Sequence, residues 1–146
     1  MGARYSATRT SSALSTTNDT MTIIAPSTRA LKIWEIRVFG QGTTSAANEV
    51  LISRSTGGTT GGGAITPTPL ATLSPASGVT VNTTWTGQPT IGVAIRRVGV
   101  NANGAVSSLV FPPGSEIDVP PSGQISIRSA SGTSNVTVEV IFEEVG

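Results

Sequence analysis

The chemistry open to this chain is narrow. Among its 146 residues there is no histidine and no cysteine, so Ser-His, Cys-His and His-zinc arrangements, thiolate metal sites and disulfides are all excluded. Acid–base work would rest on Asp19, Glu35, Glu49, Glu116, Asp118, Glu139, Glu143 and Glu144, with Lys32 and Tyr5. Glu116 and Asp118, two residues apart, share one face of an extended segment and could offer a cation two carboxylates. No third acid stands near them, and charges that blunt an exposed strand end are the simpler reading. Glu35 and Glu139 are the one pair that adjacent strands could set facing each other, as a glycosidase would need. Gly57 to Gly63 (GGTTGGG) has the composition of a phosphate loop, but no Lys-Ser/Thr and no helical pattern follows it, so it reads as a hinge or loop tip. The expectation is a protein without a catalytic, metal or cofactor site.

Binding chemistry is the alternative. A sugar-binding sheet stacks its ligand on an exposed aromatic ring, and Trp85, flanked by Asn82, Thr84 and Gln88, is the one candidate glycan platform; a Trp capping the end of a hydrophobic core is the competing reading. The formal net charge is +1, from nine basic and eight acidic residues, which argues against nucleic acid or an anionic membrane as partner. Eight of the nine bases are Arg, the residue suited to planar, partly buried contacts at protein interfaces. Only 12% of residues are charged, while Ser, Thr and Gly supply 57, a composition that suits a sandwich with polar turns. No segment approaches the roughly 20 apolar residues of a membrane helix, and MGARYSATRTSSALSTT lacks the apolar core of a signal peptide, so a soluble chain without a cleavable signal is expected.

The elements follow from period-two patterning. Val136, Val138, Val140 and Phe142 alternate with Thr137, Glu139 and Glu143, and Ile125 and Ile127 alternate with polar residues, which predicts a hairpin turning through Ala130 to Ser134. Thr90 to Val100 reads as a strand that returns through Asn101 to Gly104 (NANG) as a second hairpin. Arg29 to Gln41 puts Trp34, Ile36 and Val38 on one face and Leu31, Ile33 and Phe39 on the other, a central strand apolar on both sides. Glu35 and Arg37 share the second face, where cross-strand ion pairing is expected. Pro67, Pro69 and Pro75 make Ile65 to Pro75 an edge strand or crossing loop between sheets. Residues 1–19 carry Arg4 and Arg9 among small polar residues and read as an N-terminal arm or first edge strand. Residues 20–146 form one domain, an all-β antiparallel β-sandwich, jelly-roll-like, of eight to ten strands.

The segments STRALKIWEIRVFGQGTTSAANEVLISRST, TPTPLATLSPASG and FPPGSEIDVPPSGQISIRSASGTSNVTVEVIFEE, with a strand hairpin between the last two, resemble tailed-bacteriophage capsid decoration (cement) proteins and related virion jelly rolls. The likeness covers roughly residues 20 to 145 and lies in strand order and turn placement. It implies a domain made in the host cytoplasm and carried on the capsid exterior, commonly a homotrimer, that clamps the major capsid protein. On that reading Arg4 and Arg9 are the candidate capsid contacts. A carbohydrate- or receptor-binding module, as in a tail or fibre head, is the alternative.

Overall fold

The structure is a computed structural model that describes residues 2–146. Its strands are β1 (Arg4–Ala13), β2 (Met21–Ile24), β3 (Ala30–Gly40), β4 (Ala47–Thr56), β5 (Thr59–Ile65), β6 (Thr68–Pro69), β7 (Thr80–Gly87), β8 (Thr90–Asn101), β9 (Val106–Val110), β10 (Ile117–Val119), β11 (Gln124–Ser131) and β12 (Asn135–Val145). They form two antiparallel sheets. The first runs β10-β3-β12-β1-β6, with β9 also paired to β3; the second runs β5-β7-β2-β11-β4-β8. The twelve strands exceed the eight to ten expected because residues 59–87, which include the glycine-rich loop and the proline-rich crossing, supply β5, β6 and β7.

Chain order wraps back and forth between the sheets. Strands β1, β3, β9, β10 and β12 lie in one, and β2, β4, β8 and β11 in the other, so most connections cross the sandwich. This is jelly-roll connectivity. It corrects both predicted hairpins: β11 and β12 pair in different sheets, as do β8 and β9. A local alternation pattern shows that a segment is a strand with one buried face, but it does not choose the partner. Gly132 makes the β11–β12 crossing possible, at a φ of 86° and so near Asn48 that an added Cβ would lie 2.1 Å from its Oδ1.

The inner face of β12 carries Val136, Val138, Val140 and Phe142, all fully buried. Opposite them across β3 stand Gly40, Val38, Ile36 and Ile33, and between Ile36 and Ile33 the register shifts by one residue. That bulge spans Trp34 and Glu35, and it reverses the phase of the alternation. Leu31 and Ile33 therefore join Ile36 and Val38 in one core, while Phe39 stays half-buried on the outer face with Arg37 and Glu35. The predicted strand with two apolar faces is in fact a bulged strand with one. Facing it across the sandwich are Met21, Ile23, Val50, Ile52, Ile125 and Ile127, each worth about 1.5–3 kcal/mol on burial.

Residues 4–13, for which the sequence left an arm and an edge strand open, pair with β12 over most of their length and with β6 at Tyr5 and Ser6. Tyr5 is fully buried, its ring stacked on Phe142 at 5.7 Å, and its hydroxyl donates to the Pro75 carbonyl at 3.0 Å. Glu144 closes the same end of the sandwich, accepting from Arg29, Ser77 and the Gly78 amide.

Two outcomes check this arrangement. Ile36→Ala should cost about 2–5 kcal/mol in denaturant unfolding, and Phe39→Ala clearly less; equal costs would restore the two-faced strand. Burial raises the Tyr5 phenol above its ordinary 10.0, with Glu144 adding to the rise and Arg29 opposing it. The neutral phenol is favoured in the fold, so its contribution is intact below that pH and is lost as pH climbs through the raised value. In Tyr5→Phe the fall in stability on the alkaline side should be shallower than in the native chain, measured by urea midpoints across that range.

Candidate functional site

Three surfaces carry chemistry. On the outer face of the first sheet, Arg37 lies 2.5 Å from Glu35 and 3.5 Å from Glu139, Ser108 donates to Glu35, and Thr8 donates to Glu139. The expected cross-strand ion pairing is present, and the hydrogen bond and charge of Glu35 raise the Arg37 pKa further. Both acids of the imagined glycosidase pair are thus bridged by one guanidinium. Beyond this ladder Glu143 accepts from Trp34 Nε1 at 3.0 Å, and Arg4 stacks over the Trp34 ring at 4.3 Å and approaches Glu143 at 3.6 Å. Arg4 is therefore an exposed residue held in a built cluster, worth about 0.5–1 kcal/mol as a stacked cation. Glu116 accepts from the Gly114 amide, and backbone hydrogen bonding lowers its pKa. Among the described residues no three acids gather in a metal-binding group.

The second surface is apolar and split between opposite edges of the sandwich. At one edge β8 and β9 are the outermost strands of their sheets over residues that expose Val93 (78%), Val106 (59%) and Val110 (66%). The register places Val106 opposite Phe39 and Val110 opposite Glu35, so both valines extend the outer face. At the other edge, after β6, Leu70 and Leu73 stand out, the latter 99% exposed. Their loop is pinned by Leu70 N–H to the Arg4 carbonyl, by a turn from Ser74 N–H to the Ala71 carbonyl and by the Tyr5 bond to Pro75.

The third surface is a polar pocket of about 230 Å³ lined by Arg9, Ala13, Ser15, Asn18, Asp19, Thr83, Thr84, Trp85 and Gln88. Its floor is a buried network on the second sheet. Asp19 Oδ1 accepts from Arg128 Nε at 2.8 Å and Nη2 at 2.7 Å, and Oδ2 accepts from Thr22 at 2.6 Å and from Ser126. Four donors satisfy this carboxylate, which has no exposed surface. Trp85 donates its indole N–H to Thr22 at 2.9 Å, is only 9% exposed, and is covered so closely by Gly58 that an added Cβ there would lie 2.6 Å from the ring. A ring so enclosed is no open stacking platform: Trp85 caps the sheet. Of its flanks, Asn82 is buried, Thr84 is exposed, and Gln88 accepts from the Asp19 amide.

Arg9 stands opposite Val138, a core residue, so its side chain leaves the inner face of β1. Its Nη1 donates to the carbonyls of Thr20 at 2.5 Å and Thr83 at 2.9 Å, tying the two sheets together. This takes it out of the surface role that an arm would have given it. The sequence carried no signal for this, because the facing of Arg9 is set by pairing with a strand about 130 residues away. Trp34 was likewise missed as the half-exposed aromatic, because only the bulge turns it outward.

Removing the buried acid in Asp19→Ala should destabilise the fold by about 3–5 kcal/mol, since Arg128 is left mostly buried without its carboxylate. Urea unfolding measures it, and a cost near that of a surface substitution would show that the network adds nothing. No protein-family model, no curated protein and no solved structure matches this chain.

Proposed function

We propose that this protein is a structural component of a virus particle, a decoration protein that associates with copies of itself and binds the outer surface of the assembled capsid. The observation that supports this reading is the placement of apolar side chains on opposite edges of one jelly roll: Leu70 and Leu73 beyond β6, and Val93, Val106 and Val110 at β8 and β9. Two different patches on opposite edges suit a head-to-tail contact, in which one copy's leucines meet the next copy's valines and the ring closes when the rotation permits. Exposed edge strands left without a partner invite such pairing. A brick of this kind stabilises a shell by binding only its assembled state, which shifts the equilibrium away from disassembly. The resemblance of its strand order and turns to capsid decoration proteins supplies the partner, the major capsid protein.

Light scattering after size exclusion, followed by co-sedimentation with purified tailed-bacteriophage capsids, tests the proposal. The native chain should run as a trimer and pellet with capsids. Leu73→Asp and Val106→Asp, at positions that carry no core packing, should each give a folded monomer with an unfolding free energy within about 0.5 kcal/mol of native. A native monomer that stays in the supernatant would overturn the reading.

A further inference from the structure

We infer that the pocket between the β1–β2 connection and β7 binds a saccharide unit bearing a carboxylate, such as a uronic or sialic acid residue. The inference is independent of the proposed capsid role and rests on an unbalanced charge. Asp19 and Arg128 neutralise each other in the pocket floor, whereas Arg9, half-buried, belongs to none of the ion pairs among the described residues. Only its Nη1 finds protein acceptors, the two backbone carbonyls; Nε and Nη2 find none among the described residues. A guanidinium taken partly out of water without a counter-ion is costly, and burial pulls its pKa below the ordinary arginine value. A carboxylate answers both the missing charge and the missing acceptors, because it takes two parallel N–H bonds from one guanidinium.

The other lining groups select what carries the carboxylate. Gln88 spends its Oε1 on the Asp19 amide, which leaves its NH₂ donors free, and exposed Asn18 and Thr84 add an amide and a hydroxyl at the rim. Ser15 Oγ accepts from the amides of Thr17 and Asn18 and gives its own proton to Thr17 Oγ1, so it fixes the hydroxyl side of the rim without offering a free donor. Such a wall of amides and hydroxyls suits a ring bearing several hydroxyl groups. At about 230 Å³ the pocket is smaller than the ~300–1,000 Å³ of sites for drug-sized ligands, so it takes one sugar ring of a chain. Recognition is by hydrogen bonds and charge rather than by stacking, consistent with the enclosed Trp85.

Isothermal titration of the native protein with glucuronate, N-acetylneuraminate, glucose and acetate tests this. At least one sugar acid should bind saturably, with glucose and acetate each at least about tenfold weaker, the loss of one charged hydrogen-bonding group or of the hydroxyl contacts. Arg9→Gln should weaken the sugar acid by about tenfold or more. Because that change also removes the bonds to Thr20 and Thr83, Thr84→Glu serves as the second variant: it sets a like charge at the exposed rim and should abolish binding at an unchanged unfolding midpoint. No binding of either sugar acid, equal binding of glucose or acetate, or undiminished affinity in Thr84→Glu would each overturn the inference. Capsid co-sedimentation reads out separately and is not affected by any of these results.

Discussion

The pairing of β12 with β3, and the single-residue bulge within it, is the constraint on which the rest of this sandwich depends. β12 lies between β1 and β3 and is paired along nearly its whole length on both sides. Its inward valines and Phe142 set the floor of the core, and its outward Glu139 and Glu143 anchor the two clusters of the outer face. The bulge at Trp34 and Glu35 lets β3 match that floor twice, once before it with Leu31 and Ile33 and once after it with Ile36 and Val38. Without the extra residue one of those pairs would face water, at a cost of about 1.5–3 kcal/mol for each side chain exposed. The same residue turns Trp34 outward, where Arg4 and Glu143 take it up.

What the sequence made legible was the set of strands and their buried faces, because period-two alternation is a local property. Val136, Val138, Val140, Phe142, Ile125 and Ile127 are buried as the pattern requires, and the two-sheet architecture follows from many short strands with no helical period. The proline-rich segment crosses between the sheets, its two-residue β6 beside β1. Pairing was not legible. Both short Gly-containing turns look like hairpins, yet each carries the chain from one sheet to the other, since the lateral partners of β11 and β12 lie dozens of residues away. Bulges were equally hidden, and with them the facing of Trp34 and Phe39, while that of Arg9 depends on its pairing with β12.

The candidate sites divide along the same line. Arg4 and Arg9 look alike in the sequence, neighbours in one polar segment, but they stand an odd offset of five positions apart on the same strand, β1, and so face opposite sides of the sheet. Arg4 goes out to Trp34 and Glu143, and Arg9 goes in to the carbonyls of Thr20 and Thr83. Exposed Arg4 gains little from its carboxylate, as water screens the pair. Arg9, with no carboxylate partner among the described residues and half withdrawn from water, is the more consequential charge, and only the fold reveals it.

Position on the sandwich also keeps the two proposed activities apart. The apolar residues stand at the edges of the sheets, at β8, β9 and the loop after β6, whereas the polar pocket opens beside β7 over a floor fixed by the Asp19 network. A self-associating edge needs flat apolar surface that water leaves readily, and a sugar-acid pocket needs fixed donors that stay in place when water leaves. Those demands conflict within one patch, because donors stranded in an apolar contact cost the contact its gain. Setting them on separate parts of a rigid sandwich removes the conflict: Arg128 and Asp19 hold the pocket from below, and the edge residues carry no part of that network.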